Sequence, residues 1–185
     1  MMPSTVASPQ IPPAHSLARR LARLRVPLGF AFGAVVLLLA RPNWRTLAFG
    51  GLVALTGESL RIWAAGHVQK GREVTASGPY RWLGHPLYLG STVVGIGLAV
   101  AAGSLIVAVL VAVYLSMTMT AAIRSEEAEL RARFGEQYAA YREGRAAPVA
   151  RVFSVERAWR NREQRTVAGL LTGWGLLALK AALGL

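Results

Sequence analysis

The amino-acid sequence predicts an all-α integral membrane protein, a helical bundle with about five transmembrane helices. Of the 185 residues, 54% are hydrophobic and only 16% are charged, against roughly 25% charged residues in an ordinary soluble domain. The mean hydropathy is +0.39, and uncharged runs of the length that a lipid core requires recur along the chain. These observations exclude an ordinary soluble monomer.

The charged residues indicate whether the protein binds a lipid bilayer or a nucleic acid. The formal net charge is +12, from 21 Lys and Arg against 9 acids, all of them glutamates. The basic residues lie mostly beside apolar runs, where lipid headgroups and membrane topology account for them, so we expect a lipid bilayer and no nucleic acid as partner. The chain has no cysteine and only 3 histidines. We therefore expect no disulfide and no metal centre.

The N-terminal part predicts a disordered leader and then a first span. Residues 1–18 are rich in proline, serine and alanine, which leaves 19–185 as a single membrane-embedded domain. Arginines precede the first uncharged run, a pattern that a signal peptide shares. No small-x-small cleavage site follows, because the run ends Leu38-Leu39-Ala40-Arg41. We therefore expect a retained span.

Further apolar runs predict the remaining spans. The run over 86–123 has 38 residues without a charge and would measure about 57 Å as a straight helix, nearly twice the ~30 Å hydrocarbon core. We expect it to fold back at Gly103-Ser104. A polar segment over 124–165 begins with helical periodicity and predicts a cytoplasmic helix before the last span. The predicted spans lie near residues 24–40, 46–65, 86–102, 105–123 and 167–185.

The distribution of basic residues predicts the topology. With a cytoplasmic N-terminus, 17 of the 21 Lys and Arg fall on the inner side, so the positive-inside rule predicts that the C-terminus lies outside. The Arg-, Ala- and Gly-rich composition is typical of a bacterial source, hence of a bacterial inner membrane. Small residues at helical spacing predict close helix packing; they are Gly29 with Gly33, Gly90, Gly95, Gly97, and Gly169 with Gly173.

The first candidate site lies at the predicted start of the third span. Pro86 suits the first position of a helix, which puts His85 at the helix N-terminus, where free backbone N–H groups favour an anion. Tyr80 lies in the preceding turn and Tyr88 in the first helical turn. A membrane-entry turn with interfacial aromatic residues explains the same spacing.

The second candidate is Glu127, just beyond the fourth span. At about 100° per residue, a helix places Glu127 within an apolar stripe that runs from Ile123 to Tyr141. A carboxylate there is costly unless it is paired or accepts hydrogen bonds, for example from ribose hydroxyls. A salt bridge to Arg124 or Arg131 is the alternative.

The third candidate is the pair Glu58 and Arg61 inside the second predicted span. The two residues are three positions apart and so share one helical face. Ionisable groups within a span indicate a functional site by default, but these two would also neutralise each other and pin the bundle. Both interpretations stay open at this point.

Two sequence motifs resemble those of the isoprenylcysteine carboxyl methyltransferase and phospholipid methyltransferase family of integral membrane enzymes. They are G-P-Y-R-W-L-G-H-P-L-Y-L-G and, after an uncharged hairpin, R-S-E-E-A-E-L-R-A-R-F-G-E-Q-Y-A-A-Y. The resemblance covers about residues 57 to 145. It implies S-adenosylmethionine as methyl donor, bound at the cytoplasmic end of the bundle. By position it implies a cofactor-binding role for Tyr80, His85, Pro86, Tyr88, Glu126 and Glu127.

The resemblance implies an S-adenosylmethionine-dependent methyltransferase acting on a lipophilic acceptor at the cytoplasmic membrane interface, with O-methylation of a carboxylate or hydroxyl, or N-methylation of a lipid amine. An anionic acceptor needs a positioned cation, for which Arg81, Arg124 and Arg61 are candidates, whereas an amine needs a base, for which His85 or Glu127 is the candidate. The family commonly has Arg where this chain has Gly84. Either its task passes to Arg81 or Arg124, or the substrate differs.

Two other functions fit parts of the pattern. A sterol-type membrane reductase also has a His-Pro-x-Tyr element and would bind NADPH, although the residues around Tyr88 depart from that type. A non-enzymatic membrane scaffold with a decayed site would bind neither cofactor. Titration with S-adenosylhomocysteine and with NADPH separates the three.

Overall fold

The computed structural model describes residues 29–147 and 149–185, and these residues form helices and connecting loops without a β-strand. The all-α prediction is confirmed over this part of the chain. The predicted leader, 1–18, lies outside it. The elements are α1 (Gly29–Leu39), α2 (Trp44–Ala65), a 3₁₀ turn (Gly78–Arg81), α3 (Pro86–Ala101), α4 (Leu105–Arg142), α5 (Val155–Arg160) and α6 (Glu163–Leu183).

Two of these helices, α4 and α6, are long and apolar enough to cross a membrane. Only 11% of the apolar window of α4 and 6% of that of α6 are buried inside the protein, so their apolar faces are left for another apolar environment. The helices α1 and α3 are apolar but shorter, and α2 carries charges within its length. The predicted five membrane crossings are therefore not confirmed, although a helix lies at each predicted position.

The break before α2 follows from its capping residues. Asn43 accepts hydrogen bonds from the backbone N–H groups of Arg45 and Thr46, at 3.0 and 3.1 Å. In the reciprocal hydrogen bond, the Asn43 N–H donates to the Thr46 hydroxyl at 3.0 Å. This reciprocal arrangement is a capping box, which satisfies amide groups that a helix end otherwise leaves without partners.

Glycines bring α2 and α3 into close contact. A Cβ atom built on Gly97 would lie 2.5 Å from the backbone nitrogen of Ala54, and one on Gly57 would lie 2.7 Å from the carbonyl oxygen of Gly90. No side chain fits in these places, so the two backbones touch directly. On the other side of α3, a Cβ on Gly95 would lie 2.5 Å from Leu115 of α4. Close packing is thus confirmed for the glycines of α3.

The same prediction is wrong for Gly169 and Gly173 of α6. A Cβ atom on either of them would meet no atom within 4 Å among the residues that the structure describes. Small residues at a spacing of four permit a close helix contact but do not create one, because a partner helix must also lie opposite. For Gly29 and Gly33 of α1, close packing stays a prediction.

The predicted hairpin between α3 and α4 is confirmed at Gly103-Ser104. Gly103 has φ +61°, a conformation that glycine adopts without steric cost. Ser104 then caps α4, its hydroxyl accepting from the Val107 N–H at 3.5 Å. The chain therefore turns and re-enters a helix within two residues.

The helix α4 contains a kink that the sequence analysis did not predict. Its 38 residues run as one element, but Gly135 has φ 44° and ψ −115°, which is far from helical values. The kink redirects the last turns of α4, so that Tyr138 is buried and Tyr141 reaches the loop before α3. A straight helix would carry both residues away from that loop.

The C-terminal end of α2 is covered by the segment around α5. Arg157 Nε donates to the carbonyl oxygen of Gly66 at 2.8 Å. The Asn161 amide donates to the carbonyl oxygens of Ala65 and Val68 at 2.8 and 3.1 Å. The last carbonyl groups of a helix have no partner within it, so residues from much later in the chain complete this helix end.

Candidate functional site

The predicted position of His85 is confirmed. Proline occupies the first turn of α3 and His85 precedes it as the N-cap residue, with a side chain that makes no capping hydrogen bond. The imidazole is consequently available to another element. Its Nε2 lies 3.3 Å from Glu127 Oε1 of α4, 42 positions away in the sequence. The start of α3 and the middle of α4 thus meet at a histidine–carboxylate pair.

Glu127 is the centre of a charged cluster, which we call the Glu127 cluster: Glu127, His85, Arg131 and Arg142. Arg142 Nη1 lies 3.1 Å from Oε1, and Arg131 Nη2 lies 3.2 Å from Oε2. The Glu127 side chain is 18% exposed. The hydrogen bond to His85, and then the charges of Arg142, His85 and Arg131, hold the pKa of the Glu127 carboxyl below its usual value of 4.5.

The salt-bridge alternative for Glu127 therefore holds for Arg131 and not for Arg124. Arg124 is exposed, and no ion pair or hydrogen bond joins it to Glu127 in the described part of the chain. The Glu127 carboxylate combines an ion pair on its own helix with contacts to two other segments.

Arg142 is the member of the cluster that the sequence analysis missed. In a straight helix, Glu127 and Arg142 would be about 22 Å apart along the axis. The kink at Gly135 brings them into contact. The one signal in the sequence was a glycine inside an otherwise helical pattern, which indicates a break without giving its direction.

Arg142 also lies beside Gly84. A Cβ atom built on Gly84 would have Arg142 Nη1 at 3.8 Å, and among residues 29–147 and 149–185 no other atom outside the adjacent residues within 4 Å. Where the resemblance expects an arginine side chain to leave the backbone, this chain instead brings a guanidinium group from α4. Neither Arg81 nor Arg124, the two residues expected to replace it, lies in that place. Arg81 is exposed, with its guanidinium 5.6 Å from the centroid of the Trp82 ring.

A cavity of about 320 Å³ opens next to the Glu127 cluster, between α3 and α4. This volume is at the lower end of the range for small-molecule sites. Polar and aromatic groups from the start of α3 line one part, and apolar side chains of both helices line the rest. The lining residues are Leu83, Gly84, His85, Tyr88, Leu89, Thr92, Met119 and Ile123.

Aromatic side chains fix the loop that leads into α3. The Tyr141 hydroxyl donates to the carbonyl oxygen of Tyr80 at 2.8 Å and lies 3.4 Å from that of Leu83. Burial, followed by the nearby charge of Glu126, raises the pKa of the Tyr80 hydroxyl well above its usual value. Tyr80 therefore stays protonated at any physiological pH and can serve as a hydrogen-bond donor.

Arg61 lies in a second charged network, which we call the Arg61 network: Arg61, Glu58, Glu163, Ser91 and Thr166. Arg61 Nε donates to Glu163 Oε1 at 2.8 Å and lies 3.6 Å from Glu58 Oε2. Its terminal nitrogens donate to the hydroxyl groups of Ser91 and Thr166. These contacts tie α2 to α3 and α6, as the bundle-pinning interpretation predicts, with Glu163 as a partner that the sequence analysis did not identify.

The geometry combines what a group-transfer site needs. A carboxylate and an imidazole can orient and deprotonate a bound group, a guanidinium can bind an anion, and a partly apolar cavity excludes water around them.

The chain matches no curated protein and no solved structure. Residues 47–137 match the family model described as phospholipid methyltransferase, and this segment contains both His85 and Glu127. The family resemblance is thus confirmed over residues 47–137, the segment that matches the phospholipid methyltransferase family model.

Proposed function

We propose that the protein transfers a methyl group from S-adenosylmethionine to a lipophilic acceptor at a membrane interface. The observation that carries this proposal is the contact between His85 and Glu127, 3.3 Å apart, beside a cavity within the segment that matches the methyltransferase family. These two side chains belong to the two separate motifs of the sequence, and the fold brings the motifs together.

The residues present fit the proposed methyl donor. Glu127 and the half-buried Glu126 can accept hydrogen bonds from ribose hydroxyls. The ring of Tyr88, with its centroid 5.8 Å from that of His85, offers an aromatic surface at the cavity. When bound, S-adenosylmethionine supplies a methyl group on a positively charged sulfur, which is already a strong electrophile.

The work left to the protein is orientation, exclusion of water and management of a proton. If the acceptor is an amine or a hydroxyl, it must lose a proton. In the tautomer whose Nε2–H donates to Glu127, the other ring nitrogen of His85 is the atom that can take the proton. If the acceptor is a carboxylate, it needs a cation instead. Arg142, whose Nη1 lies 3.8 Å from the Cβ position of Gly84 at the cavity, can supply it, while Arg81 and Arg124 stay predictions.

The surroundings of the cavity favour a lipophilic acceptor. Leu89, Met119 and Ile123 line it with apolar atoms, and the apolar faces of α4 and α6 are largely unburied within the protein. An acceptor with a hydrocarbon tail could reach the cavity sideways from a bilayer. The inner-side placement of the N-terminus and the bacterial inner membrane remain predictions of the sequence.

Calorimetric titration of S-adenosylhomocysteine into the purified full chain in detergent tests the proposal. We expect saturable binding to the wild type and a loss of at least tenfold in affinity for Glu127→Ala and for His85→Ala. Glu129→Ala is the matched control, because Glu129 is an exposed glutamate of the same helix that pairs with Arg133 at 3.8 Å. It should bind like the wild type.

Circular dichroism and thermal unfolding verify that each variant is folded. A folded wild type that binds no S-adenosylhomocysteine, in detergent and again in lipid nanodiscs, contradicts the methyltransferase proposal. Binding of NADPH instead would indicate the reductase, and binding of neither would indicate a scaffold.

A further inference from the structure

The two arginines of the Glu127 cluster differ in origin and surroundings. Arg131 lies one turn after Glu127 on the same helix, and its side chain is 65% exposed. Arg142 arrives from beyond the kink, with a side chain that is 48% exposed. It also lies beyond residue 137, where the match to the family model ends. Arg142 therefore belongs to the kinked end of α4 and not to the segment that the family model matches.

Arg142 has hydrogen-bonding capacity that the protein does not use. A guanidinium carries five N–H donors in a rigid planar arrangement suited to carboxylate and phosphate groups. Glu127 Oε1 lies 3.1 Å from Nη1, and Arg142 has no other ion pair or hydrogen bond among the described residues. The remaining donors are available to a ligand.

The position of Arg142 places these donors next to the cavity. Gly84 lines the cavity and leaves open the space that a side chain would take, and Arg142 Nη1 is 3.8 Å from the position of the missing Cβ. The guanidinium thus stands at the rim of the cavity. Glu127 holds one of its nitrogens in place.

We propose that Arg142 binds an anionic oxygen group of a ligand, a carboxylate or a phosphate, at the rim of this cavity. The inference rests on the proposed function, because it assigns a role at the same site. The anion can belong to either reactant. It is the carboxylate of the amino-acid part of the methyl donor, or the anionic headgroup of the acceptor.

A purely structural ion pair would behave differently. Pairs between exposed groups contribute little to stability, and removal of such a pair should leave ligand affinity unchanged. The matched control is Arg133→Ala, since Arg133 is an exposed arginine of the same helix that pairs with a glutamate four positions earlier.

Paired probes distinguish the two sources of the anion. S-adenosylhomocysteine carries the amino-acid carboxylate and 5′-methylthioadenosine lacks it; oleate carries an anionic headgroup and oleyl alcohol lacks it. All four are titrated calorimetrically into the full chain in detergent, for the wild type, Arg142→Ala and Arg133→Ala. If the donor carboxylate is bound, Arg142→Ala weakens S-adenosylhomocysteine about tenfold, equivalent to about 1.4 kcal/mol, and leaves 5′-methylthioadenosine unchanged.

If the acceptor supplies the anion, Arg142→Ala instead weakens oleate binding and leaves oleyl alcohol unchanged. Equal affinities of wild type and Arg142→Ala for both anionic probes overturn the assignment of Arg142 alone. A wild type that binds neither S-adenosylhomocysteine nor oleate overturns the proposed function and the assignment with it. The two failures are therefore distinguishable.

A rescue variant tests the location. Adding Gly84→Arg to Arg142→Ala returns a guanidinium to the same space from the other side. In the part of the chain that the structure describes, the one atom within 4 Å of the new Cβ belongs to the removed arginine. We expect recovery of at least half of the lost binding free energy. A folded double variant that binds no better than Arg142→Ala contradicts an anion site beside Gly84.

Discussion

The two charged networks of this protein use the same residue types for opposite purposes. In the Arg61 network an arginine is the centre, its side chain is 15% exposed, and its donors go to protein groups on α3 and α6. In the Glu127 cluster a carboxylate is the centre, and the arginines around it are about half exposed. In the first network the arginine donates to protein groups, although both oxygens of Glu58 have no hydrogen-bond partner among the described residues. In the second network, our proposal is that Arg142 donates to a ligand.

This difference sets the expected energetics. Removing one partner of a buried ion pair leaves an uncompensated charge and costs about 3 to 5 kcal/mol. Removing one partner of an exposed pair costs about 0 to 1 kcal/mol. Substitutions in the Arg61 network should therefore reduce stability, and those in the Glu127 cluster should reduce binding.

The largest effect is expected for Arg61→Ala. It leaves Glu58 and Glu163 buried without their cation and removes the link from α2 to α3 and α6, so we expect a loss of about 3 to 5 kcal/mol in the free energy of unfolding. Chemical unfolding in detergent, followed by circular dichroism, measures it. Arg45→Ala, at an exposed position of the same helix, should cost less than about 1 kcal/mol. Equal costs for the two variants would remove the distinction between the networks.

The second effect concerns the kink. Gly135→Ala introduces a side chain at φ 44°, which costs about 1 to 3 kcal/mol of strain or straightens the helix. Either outcome displaces Arg142, so S-adenosylhomocysteine affinity should fall along with stability. Gly169→Ala, where a Cβ would meet nothing within 4 Å, is the control and should be neutral or slightly stabilising. Wild-type binding by Gly135→Ala would show that the kink does not position the site.

A third prediction separates binding from stability within the Glu127 cluster. Glu127→Ala leaves a His85 side chain that is 16% exposed and two arginines that are 65% and 48% exposed. Because both arginines stay in contact with solvent, we expect a loss of about 1 kcal/mol or less in unfolding free energy while S-adenosylhomocysteine binding disappears. Parallel unfolding and titration of one preparation measures both. A stability loss as large as that of Arg61→Ala would make Glu127 a structural residue.

The smallest expected effect is the pH dependence of the contribution that Glu127 makes to the free energy of unfolding. Its pKa is held below the usual 4.5 by the hydrogen bond to His85, so the charged form is stabilised by folding. This contribution is fully present above the unfolded pKa and is lost as the pH falls through the lower folded value. Wild type should exceed Glu127→Gln in unfolding midpoint at about pH 5, and the difference should shrink as the pH falls below that value. A difference that grows as the pH falls below about 5 would contradict the lowered pKa.

The features that depend on local chemistry, such as helix starts and turns, could mostly be predicted from the sequence. Proline at the start of α3 and Gly103 at the hairpin follow from the conformations that these residues permit, and both were confirmed. Two contacts could not be predicted from the sequence: that of Arg142 with Glu127 and that of Glu163 with Arg61. The first depends on the direction of a kink. The second joins residues 102 positions apart, and no periodicity in one helix specifies which other helix lies opposite.

The cover over the end of α2 gives the protein an order of assembly. The carbonyl groups of Gly66 and Ala65 receive donors from residues 91 and 96 positions later in the chain. During synthesis, the residues of both motifs are joined to the chain before these donors. Until the α5 segment is made, only water can satisfy these carbonyl groups. A segment made late thus completes a helix made early, and a chain stalled before residue 157 would leave the end of α2 without its protein donors.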